Sequence, residues 1–146
     1  MKFQRADGGR KAAGYKGKTG DCFVRALSIA SGMGYQEAYD FTNSVAKGFK
    51  LPKNHKGKSD ARTGVHKIVA REIMSRLGWT WVPTMKIGQG CTVHLREDEI
   101  PAGRLLVTVS RHYVAVVNGV IHDDHDPSRE GTRCVYGYYQ KKEEAA

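Results

Sequence analysis

The sequence predicts an α+β domain in which N-terminal helices pack on an antiparallel β-sheet. Three observations lead there. Apolar residues recur at helical spacing between residues 21 and 77, short β-branched runs fill residues 79–139, and an Asn-Gly pair stands between two of those runs. Helices first and strands after are the pattern of a sheet covered on one face by helices.

The elements follow in order. Residues 21–32 (DCFVRALSIASG) predict a helix, with Asp21 as N-cap, Gly32 as stop and Phe23, Ala26, Leu27 and Ala30 as an i, i+3, i+4, i+7 stripe. A second is expected over residues 35–47, where Tyr35, Ala38, Tyr39 and Ala46 are partly periodic and Gly48 follows. A third is expected over residues 64–77, capped by Thr63, with Val65, Ile68, Val69 and Glu72 on one face and Gly78 behind. Strands are expected at 79–84, 91–95, 104–110, 112–118, 119–123 and about 135–139. Asn118-Gly119 is the preferred pair for a two-residue type I′ hairpin.

The chain has 146 residues, enough for one domain with its own core. It contains no apolar run approaching the ~20 residues of a membrane span and no apolar segment behind its basic start, so neither a membrane partner nor a secretory signal is expected. The default location is the cytoplasm, or the host cytoplasm for a phage-encoded chain. The three cysteines, Cys22, Cys91 and Cys134, are odd in number and widely spaced, which argues against a disulfide framework. Cys91 and Cys134 have no base beside them in the sequence and read as buried and inert.

The net charge is +9. Residues 1–20 carry six cations against Asp7, and residues 47–72 carry eight against Asp60 and Glu72, so the remainder of the chain is slightly acidic. Both stretches are Gly-rich and poor in apolar residues. Residues 1–20 read as a basic flexible arm, and residues 21–142 as the folded domain. The two stretches, 1–20 and 47–72, are where a nucleic acid or another acidic partner would be attracted.

The candidate chemistry lies in Cys22, His112 and Asp123. Cys22 follows the expected N-cap, so it stands in a first helical turn, where free N–H groups and the helix dipole favour a thiolate and can serve an oxyanion. With Asn118 and Gly119 as the hairpin loop, Val117 faces Val120, Val114 faces Asp123 and His112 faces His125. His112 and Asp123 are then diagonal neighbours on one face, roughly 7–8 Å apart along the backbone. A carboxylate there orients the imidazole and leaves its second nitrogen for the thiol. A slip in register would make His125 the alternative acid/base partner. The run HDDHDPS (122–128) offers metal-type ligands, but at no spacing that defines a site, so no metal and no cofactor is expected.

GDCFVRAL, followed far downstream by SRHYVAVVNGVIHDDHDPS, resembles the papain-like cysteine peptidase superfamily, in particular its small bacterial and phage-encoded members. The resemblance implies a papain-like α+β fold. It also implies Cys22 as nucleophile, His112 as general base and then acid, and Asp123 as the orienting group, acting on a peptide or protein substrate. The family places a Gln a few residues before its Cys. In this sequence GYKGKTGD stands there instead, which leaves Lys16, Thr19 and Asp21 as oxyanion or substrate candidates. Two alternatives accompany the thiol hydrolase: a cell-wall amidase of the NlpC kind, and a catalytically inactive papain-like fold that binds nucleic acid or a host protein.

Overall fold

Among the described residues, three helices lie on one face of a six-stranded sheet. The computed structural model describes residues 1–16, 20–50 and 59–141. In chain order the elements are β1 (Lys2–Arg5), α1 (Cys22–Ser31), α2 (Tyr35–Lys47), α3 (Lys67–Arg76), β2 (Trp79–Pro83), β3 (Met85–Lys86), β4 (Gly90–Cys91), β5 (Arg104–Val109), β6 (His112–Val117), β7 (Val120–Asp123) and β8 (Val135–Lys141). The large sheet runs β1-β7-β6-β5-β8-β2, and β3 and β4 form a separate two-stranded ribbon.

The α+β class is as expected, with one correction to the sheet. Its pairs are antiparallel except β1 with β7, which is parallel, so the sheet is mixed. That strand also corrects the expected flexible arm at residues 1–20. Lys2 to Arg5 pair with Val120 to Asp123, and Ala6 N–H donates to the Asp123 carbonyl at 2.8 Å. All four β1 side chains are exposed. The strand is held by backbone hydrogen bonds alone, which leave no apolar period to read. Beyond it, residues 7–14 form turns that dock on α1, where the Ser28 hydroxyl donates to the Gly8 carbonyl at 2.8 Å.

The hairpin forms in the expected register, with Val117 opposite Val120 and Val116 opposite Ile121. Asn118 and Gly119 both have positive φ, 48° and 79°, as a type I′ turn requires. Helix α3 begins at Lys67, later than expected. Its N-cap is His66, whose Nδ1 accepts from the Ile68 N–H at 3.2 Å, so Thr63 does not cap it. The expected strand 91–95 shrinks to the short β4 and a single bridge from His94 to Cys134.

Alternation on the central strands builds two cores. Leu106 of β5 and Ala115 of β6 face the helices, packed with Phe23, Leu27, Ile73 and Met74. Leu105, Val107, Val114, Val116 and Ile121 face the other way, under Leu95 and Ile100 of the loop that follows β4. Strands buried on both faces explain why residues 104–109 and 112–117 read as nearly continuous apolar runs.

Cys91 and Cys134 form a disulfide, against the expectation that both are free. The bonds Leu95 N–H to Arg133 O and Val135 N–H to Val93 O lay the two segments side by side, which brings the Cα atoms to 5.9 Å. The pairing spans 43 residues and depends on sheet assembly, so cysteine count and spacing do not reveal it. Closing a loop of that length restricts the unfolded chain by about 4 kcal/mol on the chain-entropy model. Cys91→Ser/Cys134→Ser is expected to lower the unfolding free energy by about 2–4 kcal/mol in urea titrations. An unchanged midpoint would show that the crosslink contributes nothing.

Candidate active site

The first turn of α1, the start of β6 and the end of β7 meet at one edge of the sheet. Cys22 is the first residue of α1 and is half-buried. The helix starts there because Asp21 stands at the N-cap position and the Arg25 N–H already bonds the Asp21 carbonyl at 3.0 Å. The N–H groups of this first turn point out of the helix beside the thiol, where an anion is favoured.

The residue before the cap is fixed by a close approach. Gly20 N–H bonds the Arg62 carbonyl at 2.7 Å, and a Cβ at position 20 would lie 2.6 Å from the Thr63 carbonyl oxygen. Only glycine lets the chain entering α1 run against the 60–64 turn. That turn is closed by the Asp60 carboxylate, which accepts from the Arg62 and Thr63 N–H groups at 3.0 and 2.7 Å. The two segments together form one wall of a cleft.

His112 opens β6, and its Nε2 lies 2.6 Å from Oδ2 of Asp123. Nδ1 is not used in that contact, and the Cys22 thiol lines the same cleft, close enough to act on the imidazole electrostatically. Both Asp123 oxygens are held. Oδ2 takes the imidazole, while Oδ1 accepts the Asp124 N–H at 2.7 Å and lies 3.5 Å from Arg25. Burial pushes the His112 pKa down, but the bond to Asp123 and the negative charge of Asp123 and Cys22 outweigh it, and the value is pushed up to about 9. The imidazole is therefore protonated at neutral pH beside the Cys22 thiol. Cys22, His112 and Asp123 thus come together as the sequence predicts.

The other candidates take different places. Asp21 is buried and serves no oxyanion. Its carboxylate lies 2.6 Å from Arg25 and 3.4 Å from Arg10, and it accepts the Tyr35 hydroxyl at 2.6 Å. Nor does its side chain cap the helix. A negative group so placed would repel an oxyanion. Lys16 is exposed, and other residues build the cleft walls. Thr19 lies outside the described residues, as do residues 51–58 of the basic stretch at 47–72.

His125 does not replace Asp123. Its Nδ1 is bonded to Asp124, and its ring centroid is 5.1 Å from that of His112. Ligand atoms of His112, Asp123 and His125 nevertheless fall within 4.8 Å of one another. Two imidazoles and a carboxylate at that spacing can bind a borderline divalent cation. Such an ion would take the same imidazole that the thiol needs.

Arg25 is the functional residue that composition and periodicity miss. One turn into α1, its guanidinium lies 2.6 Å from Asp21 and 3.5 Å from both Asp123 and Asp124, so it ties the helix start to the end of β7. Its position inside the otherwise apolar run CFVRALSIA was the available signal, since a charge in a buried stripe needs a buried partner.

The site opens into a cleft of about 380 Å³ whose walls include Gly20, Cys22, Thr63, Gly64, Val65, Val109, Arg111 and His112. A larger hollow of about 670 Å³, among Met1, Arg96–Asp98 and Asp126–Gly131, contains none of the three site residues and is rich in carboxylates. No helix among the described residues is long and apolar enough to cross a membrane. Comparison with protein-family models, curated proteins and solved structures finds no match to this chain.

Two outcomes test the site's electrostatics. Arg25→Met removes the cation that the buried Asp21 and Asp123 share, leaving them only Arg10 and His112, and is expected to cost about 3–5 kcal/mol in urea unfolding. Adding Asp123→Asn should restore part of that loss, and strict additivity would show that the two residues are not coupled. Asp123→Asn alone should bring the His112 titration, followed by NMR of the imidazole nitrogens, down from about 9 toward 6.5. Because the folded value is raised, His112 contributes stability that is full below pH 6.5 and fades as pH rises through about 9. The Asn variant should lose that alkaline decline, and an unchanged titration would remove Asp123 as its cause.

Proposed function

We propose that the chain is a papain-like thiol hydrolase that cleaves a peptide, isopeptide or other amide bond through Cys22, His112 and Asp123. The observation that carries this reading is the imidazole of His112, held at 2.6 Å by the buried Asp123 and sharing a cleft wall with the free thiol of Cys22 at a helix start.

The chemistry follows from that geometry. The Cys22 thiolate attacks the substrate carbonyl carbon, and the developing oxyanion is met by first-turn N–H groups of α1, including that of Cys22. Imidazolium at His112 gives its proton to the amide nitrogen as the C–N bond breaks, which releases the amine and leaves a thioester. Neutral His112 then takes a proton from water, and the hydroxide attacks the thioester carbon. The carboxylic acid leaves and the thiolate returns, with the proton again on His112. Asp123 keeps the ring in place and favours its charged form throughout.

Cys22 is the free cysteine among the described residues, because Cys91 and Cys134 are bonded to each other. Iodoacetamide at pH 6 is therefore expected to modify Cys22 alone, at least about tenfold faster than a small free thiol, because the proposed mechanism sets the His112 imidazolium beside its sulfur. His112→Ala should remove the advantage, and Cys22→Ala should abolish labelling. Alkylation no faster than a free thiol, or indifferent to His112, would overturn the proposal.

A further inference from the structure

Beside the cleft lies a second cavity of about 250 Å³ that shares Lys67, Thr108, Tyr113 and Tyr136 with it and adds Arg71, Trp81 and Tyr139. Its platform is aromatic and held rigidly. The rings of Trp81 and Tyr139 lie 4.8 Å apart, and Trp81 sits directly over Gly137, where a Cβ would come within 2.3 Å of the indole. Two cations reach over this platform from α3. Lys67 and Arg71 are four residues apart and so project from one side of the helix. The Arg71 guanidinium carbon is 5.8 Å from the Trp81 ring centroid.

What the cations lack is an anion. Among the described residues no Asp or Glu lines either cavity. Glu72, next to Arg71, is turned to Arg76 at 2.9 Å, and among the described residues no carboxylate pairs with Lys67, Arg71 or Arg111. The buried Oγ1 of Thr108, on the wall common to both cavities, also has no hydrogen-bond partner.

We infer that this second cavity is a specificity subsite that takes the carboxylate side chain of a Glu or Asp close to the scissile bond of a peptide substrate. The inference rests on the proposed hydrolase and adds the substrate class to it. The methylene stem of such a side chain packs on Trp81 and Tyr139, and its carboxylate meets Arg71 and Lys67. The uncharged amide of the same shape receives the same packing without the charge-assisted bonds, so the site separates Glu from Gln.

The test uses tripeptidyl vinyl sulfones in which Glu or Gln is scanned through the three positions before the reactive group, with Cys22 modification followed by intact mass. At one position the Glu probe is expected to react at least about tenfold faster than its Gln twin. That ratio should fall toward one in Lys67→Gln/Arg71→Gln, and should narrow in wild-type protein at 1 M salt. The ratio is internal to each protein, so it does not require equal absolute rates between variants. A ratio near one at every position, with iodoacetamide still favouring Cys22, would overturn the subsite while leaving the hydrolase in place. A preference for Glu that survives the double substitution would overturn it as well. Loss of the iodoacetamide preference in wild-type protein would overturn both.

Discussion

Arg25 holds the candidate site together. Its guanidinium lies between Asp21 at the start of α1 and Asp123 and Asp124 at and just past the end of β7, in an environment where the buried charges of Asp21, Arg25 and Asp123 would each be costly alone. The helix carries the thiol and the strand carries the carboxylate that steers the imidazole, so the ion cluster sets the distance between the two halves of the chemistry. Tyr35 of α2 and Arg10 of the N-terminal turns close on Asp21, which brings two further segments into the same arrangement. Buried ion clusters contribute little net stability compared with apolar packing, and their strength lies in geometry. Here that geometry places Cys22 beside His112.

Much of this was legible in the sequence because local rules dominate where it was legible. The Asn-Gly turn determines the β6–β7 register, and the register determines that His112 and Asp123 share a face. Cys22 follows from the apolar stripe of α1 and the residues that bound it. What stayed hidden depends on pairings between distant segments. β1 bears only exposed side chains and is recognised by backbone bonds to a strand more than a hundred residues away, so Gly and Lys content alone made it read as loose chain. The Cys91–Cys134 bond requires two loops to be aligned by the sheet. Asp21 was read as a local cap, yet a partner one turn away, Arg25, claims its carboxylate more strongly than the backbone does.

The charge of the chain also acquires a place. Lys67 and Arg71, from the basic stretch 47–72, stand over the aromatic platform next to the thiol, while carboxylates gather around a different hollow. A cationic cleft on a protein with an acidic hollow elsewhere orients an approaching anion before contact. The aromatic floor then supplies short-range packing that salt does not screen.

The parallel pairing of β1 with β7 carries a consequence for how the molecule is born. Lys2 is joined to Val120 and Arg5 to Asp123, so β1 waits for a strand made more than a hundred residues later. Contacts separated by so much chain form late, because a long loop must close before they return any stabilisation. Until β6 and β7 have left the ribosome, a nascent chain holds Cys22 without His112 or Asp123. The thiol and the imidazole are brought together only once β6 and β7 are made, and a shorter nascent chain carries no assembled site.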